Sequence, residues 1–364
     1  MASESAVRKS LFAVGIELDG EGYHPRAWRR AGHEPTLLLS PRRLRAQVAA
    51  AENAGFTFAT FDDSIASAGE TAGRIDAIGR ASFVAASTST LGLVPVVATT
   101  YGEPFHISTQ LATLDYASRG RAGWLAVDDP ATARTWGATP RVTEDEIRRE
   151  RGDSIEVARR LWDSWEDDAV VRDYAAGKFL NRDRLHHIDF IGETFSVKGP
   201  SIVPRPPQGQ VVVFGYGTEQ SGIDVALVSG TQTSDAVAAI QRARESGAAR
   251  VLVDLTVALD TPTETAAERL ADLGTDAGPN QPVPLHFSGS AADLVVLLTD
   301  LSAHADGVRL HPAVLDEDLT ILARYVLPAL LRAGIAHRPV PGSTLRANLG
   351  LSRPANRYAK ELTR

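Results

Sequence analysis

Thr99-Thr100-Tyr101-Gly102-Glu103-Pro104-Phe105-His106 decides the fold of this chain. It closes an apolar run, Leu91-Gly92-Leu93-Val94-Pro95-Val96-Val97, and leads on to Leu114-Asp115 and Gly120-Arg121-Ala122-Gly123-Trp124. Strand, polar loop, helix, Gly turn, next strand is the rhythm of a parallel α/β barrel. The polar loop follows the C-terminal end of a strand, where such barrels keep their chemistry.

Seven further strands are predicted around this one, which spans Leu91–Thr99. They are Leu11–Leu18, Phe56–Asp62, Arg121–Val127, Val211–Tyr216, Val225–Ser229, Arg250–Leu259 and Gly307–Leu310. Helical patterns lie between them. Ser40–Ala54 opens with a Ser cap and Pro at the first helical position. Thr71–Ser87, His106–Tyr116, Thr143–Asp168, Ser234–Ser246, Thr263–Leu273, Ala291–Leu301 and Asp316–Ala333 supply the rest. Eight strands alternating with helices predict a (β/α)8 TIM barrel, read as one domain over residues 1–364. An inserted hairpin and Pro-locked loop are expected before the fifth strand, at about 170–208, and an extended C-terminal tail at about 337–364.

Composition excludes several function classes. The chain has 364 residues, 43% hydrophobic and 23% charged, which suits an ordinary globular protein. With 38 basic and 45 acidic residues, the net charge of −7 argues against nucleic acid as a partner. No apolar stretch reaches transmembrane length, and Met1–Ser10 lacks a signal-peptide core, so no membrane partner and a cytoplasmic location are expected. With no cysteine there is neither a disulfide nor a thiolate nucleophile. No zinc motif, Walker loop, dinucleotide fingerprint or Ser/His/Asp order occurs, and no metal site is expected.

Several further stretches, in order along the chain, resemble one family. They include His24-Pro25-Arg26-Ala27-Trp28-Arg29, Ala51-Glu52-Asn53-Ala54-Gly55-Phe56 with Phe61-Asp62-Asp63, and Arg159-Arg160-Leu161-Trp162-Asp163-Ser164-Trp165. Phe195-Ser196-Val197-Lys198-Gly199-Pro200, Pro204-Arg205-Pro206-Pro207-Gln208-Gly209, Gly342-Ser343-Thr344-Leu345-Arg346 and Leu349–Tyr358 complete the set. Together with Thr99–His106 and Leu114-Asp115, they resemble the bacterial-luciferase-like flavin monooxygenases, in the nitrilotriacetate and dibenzothiophene-sulfone monooxygenase subgroup.

That resemblance implies a mechanism. Reduced FMN from a separate reductase reacts with oxygen to give a C4a-peroxyflavin, which oxygenates a small organic substrate. It also implies a homodimer or higher homo-oligomer. On this basis Asp62, Thr99, Thr100, Arg148, Gly215 and Gly217 are the candidate cofactor-binding residues, and His106 is a weaker catalytic candidate. Each has a plainer reading. Asp62 could cap a turn, the two threonines could brace a loop, His106 could simply open a helix, and Gly215-Tyr216-Gly217 could be a rim turn.

The chain departs from the family pattern at the flavin site. Leu125 replaces an Asn at the fourth strand, Glu144 and Arg148 replace a His and a Tyr, and Glu219 lies where small residues would cradle phosphate. These departures keep two alternatives open: a flavin-free or catalytically silent partner subunit, and a deazaflavin-dependent oxidoreductase.

Overall fold

The computed structural model describes residues 12–63, 73–217, 222–274 and 285–359. Its centre is a closed parallel barrel of β1 (Ala13–Glu17), β2 (Phe58–Phe61), β3 (Gly92–Ala98), β4 (Gly123–Val127), β5 (Val212–Tyr216), β6 (Val225–Val228), β7 (Arg250–Leu259) and β8 (Gly307–Pro312). Pairing of β1 with β8 closes the ring. Outside it lie α1 (Pro41–Ala54), α2 (Ala77–Ala85), α3 (Pro104–Ser118), α4 (Glu144–Asp163), α5 (Thr233–Glu245), α6 (Ala266–Leu273) and α7 (Ala291–Leu301). A final helix runs as Leu315–Ile321, a π turn over Leu322–Val326, and Leu327–Arg332. All eight strand expectations are met within a few residues.

Local chemistry explains the punctuation. Ser40 accepts from the Arg42 N–H to cap α1, and Gly55 ends that helix at φ 96°, in the left-handed region glycine favours. Thr143 and Glu146 form a reciprocal capping box at the start of α4. Glu103 caps α3 by accepting from the N–H groups of Phe105 and His106.

Alternation along each strand sends one side chain outward to the helices and the next into the lumen. The lower lumen is apolar: Ala13, Phe58, Val94, Val96, Leu125, Val212, Phe214, Leu227 and Leu252 pack there. Phe58 and Phe214 meet with ring centroids 5.2 Å apart. Gly15 is required at this level, because a Cβ there would stand 2.2 Å from the Phe58 ring. The C-terminal tail closes the bottom. Leu345 and Leu349 join the lumen cluster, and Arg346 reaches Asp224 and the Gln210 carbonyl.

Four differences from the sequence expectation have physical causes. The helix expected over Thr143–Asp168 stops at Asp163, where Ser164 turns its hydroxyl back to the Leu161 carbonyl. The insertion before β5 holds two hairpins rather than one, Val170–Asp173 with Lys178–Leu180 and Phe190–Ile191 with Ser196–Val197. A short strand, Leu285–Gly289, adds to the upper half of β7 beside β6. Finally, strands and helices do not alternate throughout: among the described residues no helix joins β5 to β6. Their outer faces are instead covered by α4 and α5, and Arg159 of α4 bonds Gln210, Asp224 and the Gly222 carbonyl across the gap. No helix among the described residues is long and apolar enough to cross a membrane.

The barrel floor gives a direct test of the tail's role. Leu345→Ala should destabilise the protein by about 2–5 kcal/mol, because it opens a cavity at a fully buried position. The urea midpoint reads this. A loss below about 0.5 kcal/mol, the range of a surface substitution, would mean that the tail does not seal the lumen.

Candidate active site

Above the apolar layers the lumen turns polar. Glu17 ends β1, Thr60 lies on β2, Tyr216 ends β5, Asp254 and Thr256 lie on β7, and Arg309 and His311 lie on β8. Register brings them level: Asp254 pairs with Arg309, Thr256 with His311, and Glu17 with Thr60. Glu17, Thr60, Tyr216, Thr256 and His311 lie in the C-terminal halves of their parallel strands, the catalytic end of such barrels, and Asp254 and Arg309 sit mid-strand just beneath Thr256 and His311.

Arg309 is the centre of this layer, with a side chain only 1% exposed. Its Nε and Nη2 donate to the two oxygens of Asp254 at 2.8 and 2.7 Å. Nη2 also donates to the Tyr216 hydroxyl at 2.5 Å, and the guanidinium stands 5.5 Å from that ring's centroid. Nη1 lies 3.8 Å from Glu17. His311 Nδ1 is 3.1 Å from Glu17 Oε1 and its Nε2 is 3.5 Å from Asp254 Oδ1. Tyr23 sets its ring edge-on to His311 at 6.1 Å. Tyr23 and Tyr216 are both partly exposed. Three buried polar atoms in this layer lack a hydrogen-bond partner: Arg309 Nη1, His311 Nε2 and Thr60 Oγ1.

A second ion cluster joins the mouth at its β1–β2 side. Asp19 accepts from Arg74 at 2.8 Å and Arg80 at 2.9 Å, Arg74 reaches Asp62 at 3.3 Å, and Arg80 also bonds the Asp62 carbonyl. Burial and the neighbouring Glu17 and Asp19 carboxylates push the Asp62 carboxyl up to about 7, against the pull of Arg74. Asp62 is therefore poised to exchange a proton near neutrality.

Of the residues singled out from sequence, only Asp62 joins the mouth cluster. Thr99 donates to the Val127 carbonyl and to Asp128, and Thr100 accepts from the Asp129 N–H, so both tie the β3 loop to the β4 loop. His106 is exposed on the first turn of α3. Gly215 pairs with Ala226 inside the sheet. The Gly217 N–H donates to the Leu227 carbonyl, and Arg148 is exposed and paired with Asp145. Leu125 is buried in the lumen. Glu219 lies outside the described residues.

Sequence reasoning missed Glu17, Asp254, Arg309 and His311. A signal existed in Val308-Arg309-Leu310-His311, where charged residues alternate with apolar ones inside a strand.

The cofactor implied by the resemblance meets two different environments. Arg309 Nη1 and His311 Nε2, which make no hydrogen bond within the chain and lie beside the Tyr216 and Tyr23 rings, fit the oxygen-bearing edge of a flavin ring. The phosphate end does not fit the described residues: the Gly217 N–H and Arg148 are already committed, and α4 opens with Glu144, Asp145 and Glu146. One group of metal-ligand type occurs among the described residues, Glu21, His33 and Asp316. There the Arg43 guanidinium bonds both carboxylates at 2.7 and 2.5 Å and takes the place of a cation.

The mouth makes stability depend on pH. Burial resists charge on His311, but Glu17 and Asp254 outweigh it and hold the imidazole at about 9 rather than 6.5. Its stabilising contribution is therefore complete below pH 6.5 and is lost as pH rises towards 9. Burial likewise resists charge on Glu17, which His311 and Arg309 hold down to about 2, so that contribution is lost below pH 4.5. Unfolding free energy should fall by about 3 kcal/mol between pH 6.5 and 9, and His311→Gln should flatten that fall. Denaturant titrations at each pH measure it. An equal fall in the variant would refute the assignment to His311.

Comparison with known proteins agrees with this architecture. The model of the luciferase-like monooxygenase family matches residues 22–319. Nitrilotriacetate monooxygenase component A of Aminobacter aminovorans is 27% identical, over 95% of this chain and 98% of its own. A pristinamycin IIA synthase subunit of Streptomyces pristinaespiralis is 32% identical, over 86% of this chain and 90% of its own. A crystal structure of a long-chain alkane monooxygenase superposes with a TM-score of 0.81 at 18% identity, covering 94% of this chain and 96% of that one, and shares the fold. Relatives that are monooxygenases over almost the whole length place the chain among oxidoreductases of that class. The chain belongs to the luciferase-like monooxygenase family.

Proposed function

We propose that this chain oxygenates a small organic substrate at the barrel mouth, using molecular oxygen and a reduced flavin delivered by a separate reductase. The observation that carries this reading is the polar lumen layer, where Arg309 Nη1, His311 Nε2 and Thr60 Oγ1 make no hydrogen bond within the chain and the first two have only ion-pair contacts of 3.8 and 3.5 Å, on a chain of a monooxygenase family. FMN, when bound, supplies two electrons and the activation of oxygen.

The chain's own residues do the rest. Arg309 and His311 would hold the oxygen-bearing edge of the ring, and Tyr23 and Tyr216 would flank it. Asp62 can take or release a proton at the mouth near neutral pH. The apolar layer of Phe58, Val96, Leu125 and Phe214 beneath keeps water out of the lumen. Thr99 and Thr100 act as braces that hold the β3 and β4 loops together, and Arg148, Gly215, Gly217 and His106 stand outside the ring-binding set. Recognition then rests on the ring rather than on the phosphate.

The same committed phosphate-end groups favour a second reading, in which this chain is a subunit without flavin of its own. The pristinamycin IIA synthase relative, named as one subunit of its enzyme, is a precedent for division among chains.

Anaerobic titration with reduced FMN, reduced riboflavin and a reduced deazaflavin separates these readings. Both flavins should bind in the micromolar range, within about threefold of each other, and Tyr23→Ala should weaken both by about fivefold. FMN binding about a hundredfold tighter than riboflavin would overturn ring-centred recognition. Binding of the deazaflavin alone would reassign the cofactor. No binding of any of the three to folded protein would leave the partner-subunit reading.

A further inference from the structure

Outside the ring of strands, beside the mouth, a second cavity of about 200 Å³ opens between the first turns of α1 and α2. Its walls are apolar, from Leu18, Leu38, Leu44, Ile75 and Phe83. Its charged lining is Arg43, Arg74 and Arg80 against one carboxylate, Asp19, with Ser40 and Gln47 as neutral polar groups. Asp19 is already engaged by Arg74 and Arg80 through both oxygens. Arg43 is held from outside the lining, by Glu21 and Asp316, and its buried Nε has no partner, like that of Arg80.

Arg74 is the more available cation. Its side chain is 26% exposed and its contact with Asp62 is long, at 3.3 Å. The starts of two helices also border the cavity, that of α2 already capped by Asp76 and Asp63 through the Gly79 and Ala77 N–H groups. Ser40 and Pro41 at the start of α1, and Gly79 and Arg80 in the first turn of α2, all line the cavity. A cationic ligand would meet three guanidiniums, and a purely apolar one would leave the Nε of Arg43 and of Arg80 without an acceptor. An apolar body with an anionic end suits both halves of the lining.

We infer that this cavity binds a compact, largely apolar molecule ending in a carboxylate, with Arg74 as its counter-ion. The size is appropriate, since an apolar cavity of about 150 Å³ accepts benzene. The site also communicates with the barrel. Arg74 bridges Asp19 and Asp62, so a carboxylate that draws Arg74 towards itself loosens its hold on Asp62 at the mouth.

The inference is independent of the flavin reading, because the test uses the full chain without flavin. Calorimetric titration compares benzoate, benzyl alcohol and benzylamine. Benzoate should bind with a Kd of about 1 mM or tighter, and at least about tenfold better than the other two. Arg74→Gln should reduce benzoate to the level of benzyl alcohol, while Arg332→Gln, at an exposed arginine elsewhere, should leave it unchanged. Absence of saturable benzoate binding up to about 50 mM would overturn the proposal. So would a benzoate preference that survives in Arg74→Gln, equal loss in both variants, or tighter binding of benzylamine.

Discussion

A guanidinium inside a barrel lumen is the constraint on which the upper half of this molecule depends. Removing Arg309 from water costs several kcal/mol, which only close and well-aligned partners offset. Asp254 supplies the matching fork from the neighbouring strand, and Tyr216 adds an oxygen and a ring face from β5. Glu17 and His311 complete an alternating set of charges, so no member stands alone. Four strands thus have their upper ends tied through one side chain. The lumen below can then be wholly apolar, packed on Phe58 and Phe214 and closed by the tail at Leu345 and Leu349.

The same economy explains most of the recognisable sequence motifs. His24 and Arg26 bond the carbonyls of Gly274 and Leu273 at the end of α6, and Arg30 holds Glu264, Asp272 and Glu317 together. Asp115 accepts from the Ala122 N–H and from Gln208, fastening α3 to the turn before β4 and to the Pro-rich loop. Arg205 and Asn356 fasten that loop and the tail to Asp163 at the end of α4. These matching residues hold loops and helix ends, while the chemistry of the mouth, Asp62 apart, comes from strand positions that no motif marked.

That division sets what was legible in the sequence. Strand positions followed from apolar runs and their turn signals, and all eight were placed. The missing crossover helix was legible too, since only eight residues separate Tyr216 from Val225, too few for a helix and two turns. The short strand at Leu285–Gly289 was not, because its pattern is brief and follows Pro282 and Pro284. For the site, strand-end acids such as Asp62 drew attention, whereas Asp254 and Arg309 sat inside apolar strands where alternation alone says which face they occupy. Thr99 and Thr100 were indistinguishable by sequence from ligand-facing hydroxyls, because a brace and a contact need the same side chain. Their partners, at the end of β4 and in the loop after it, lie 28 and 29 residues away, beyond the reach of local pattern.

Arg309 and Asp254 act as one coupled unit at the mouth. A double-mutant cycle with Arg309→Met, Asp254→Leu and the combined variant, read as unfolding free energy at pH 6, tests it most directly. Each single variant should lose about 3–5 kcal/mol, and the double variant should recover at least about 2 kcal/mol relative to their sum. Strict additivity, with a coupling below about 0.5 kcal/mol, would contradict it and leave the barrel top without its organising pair.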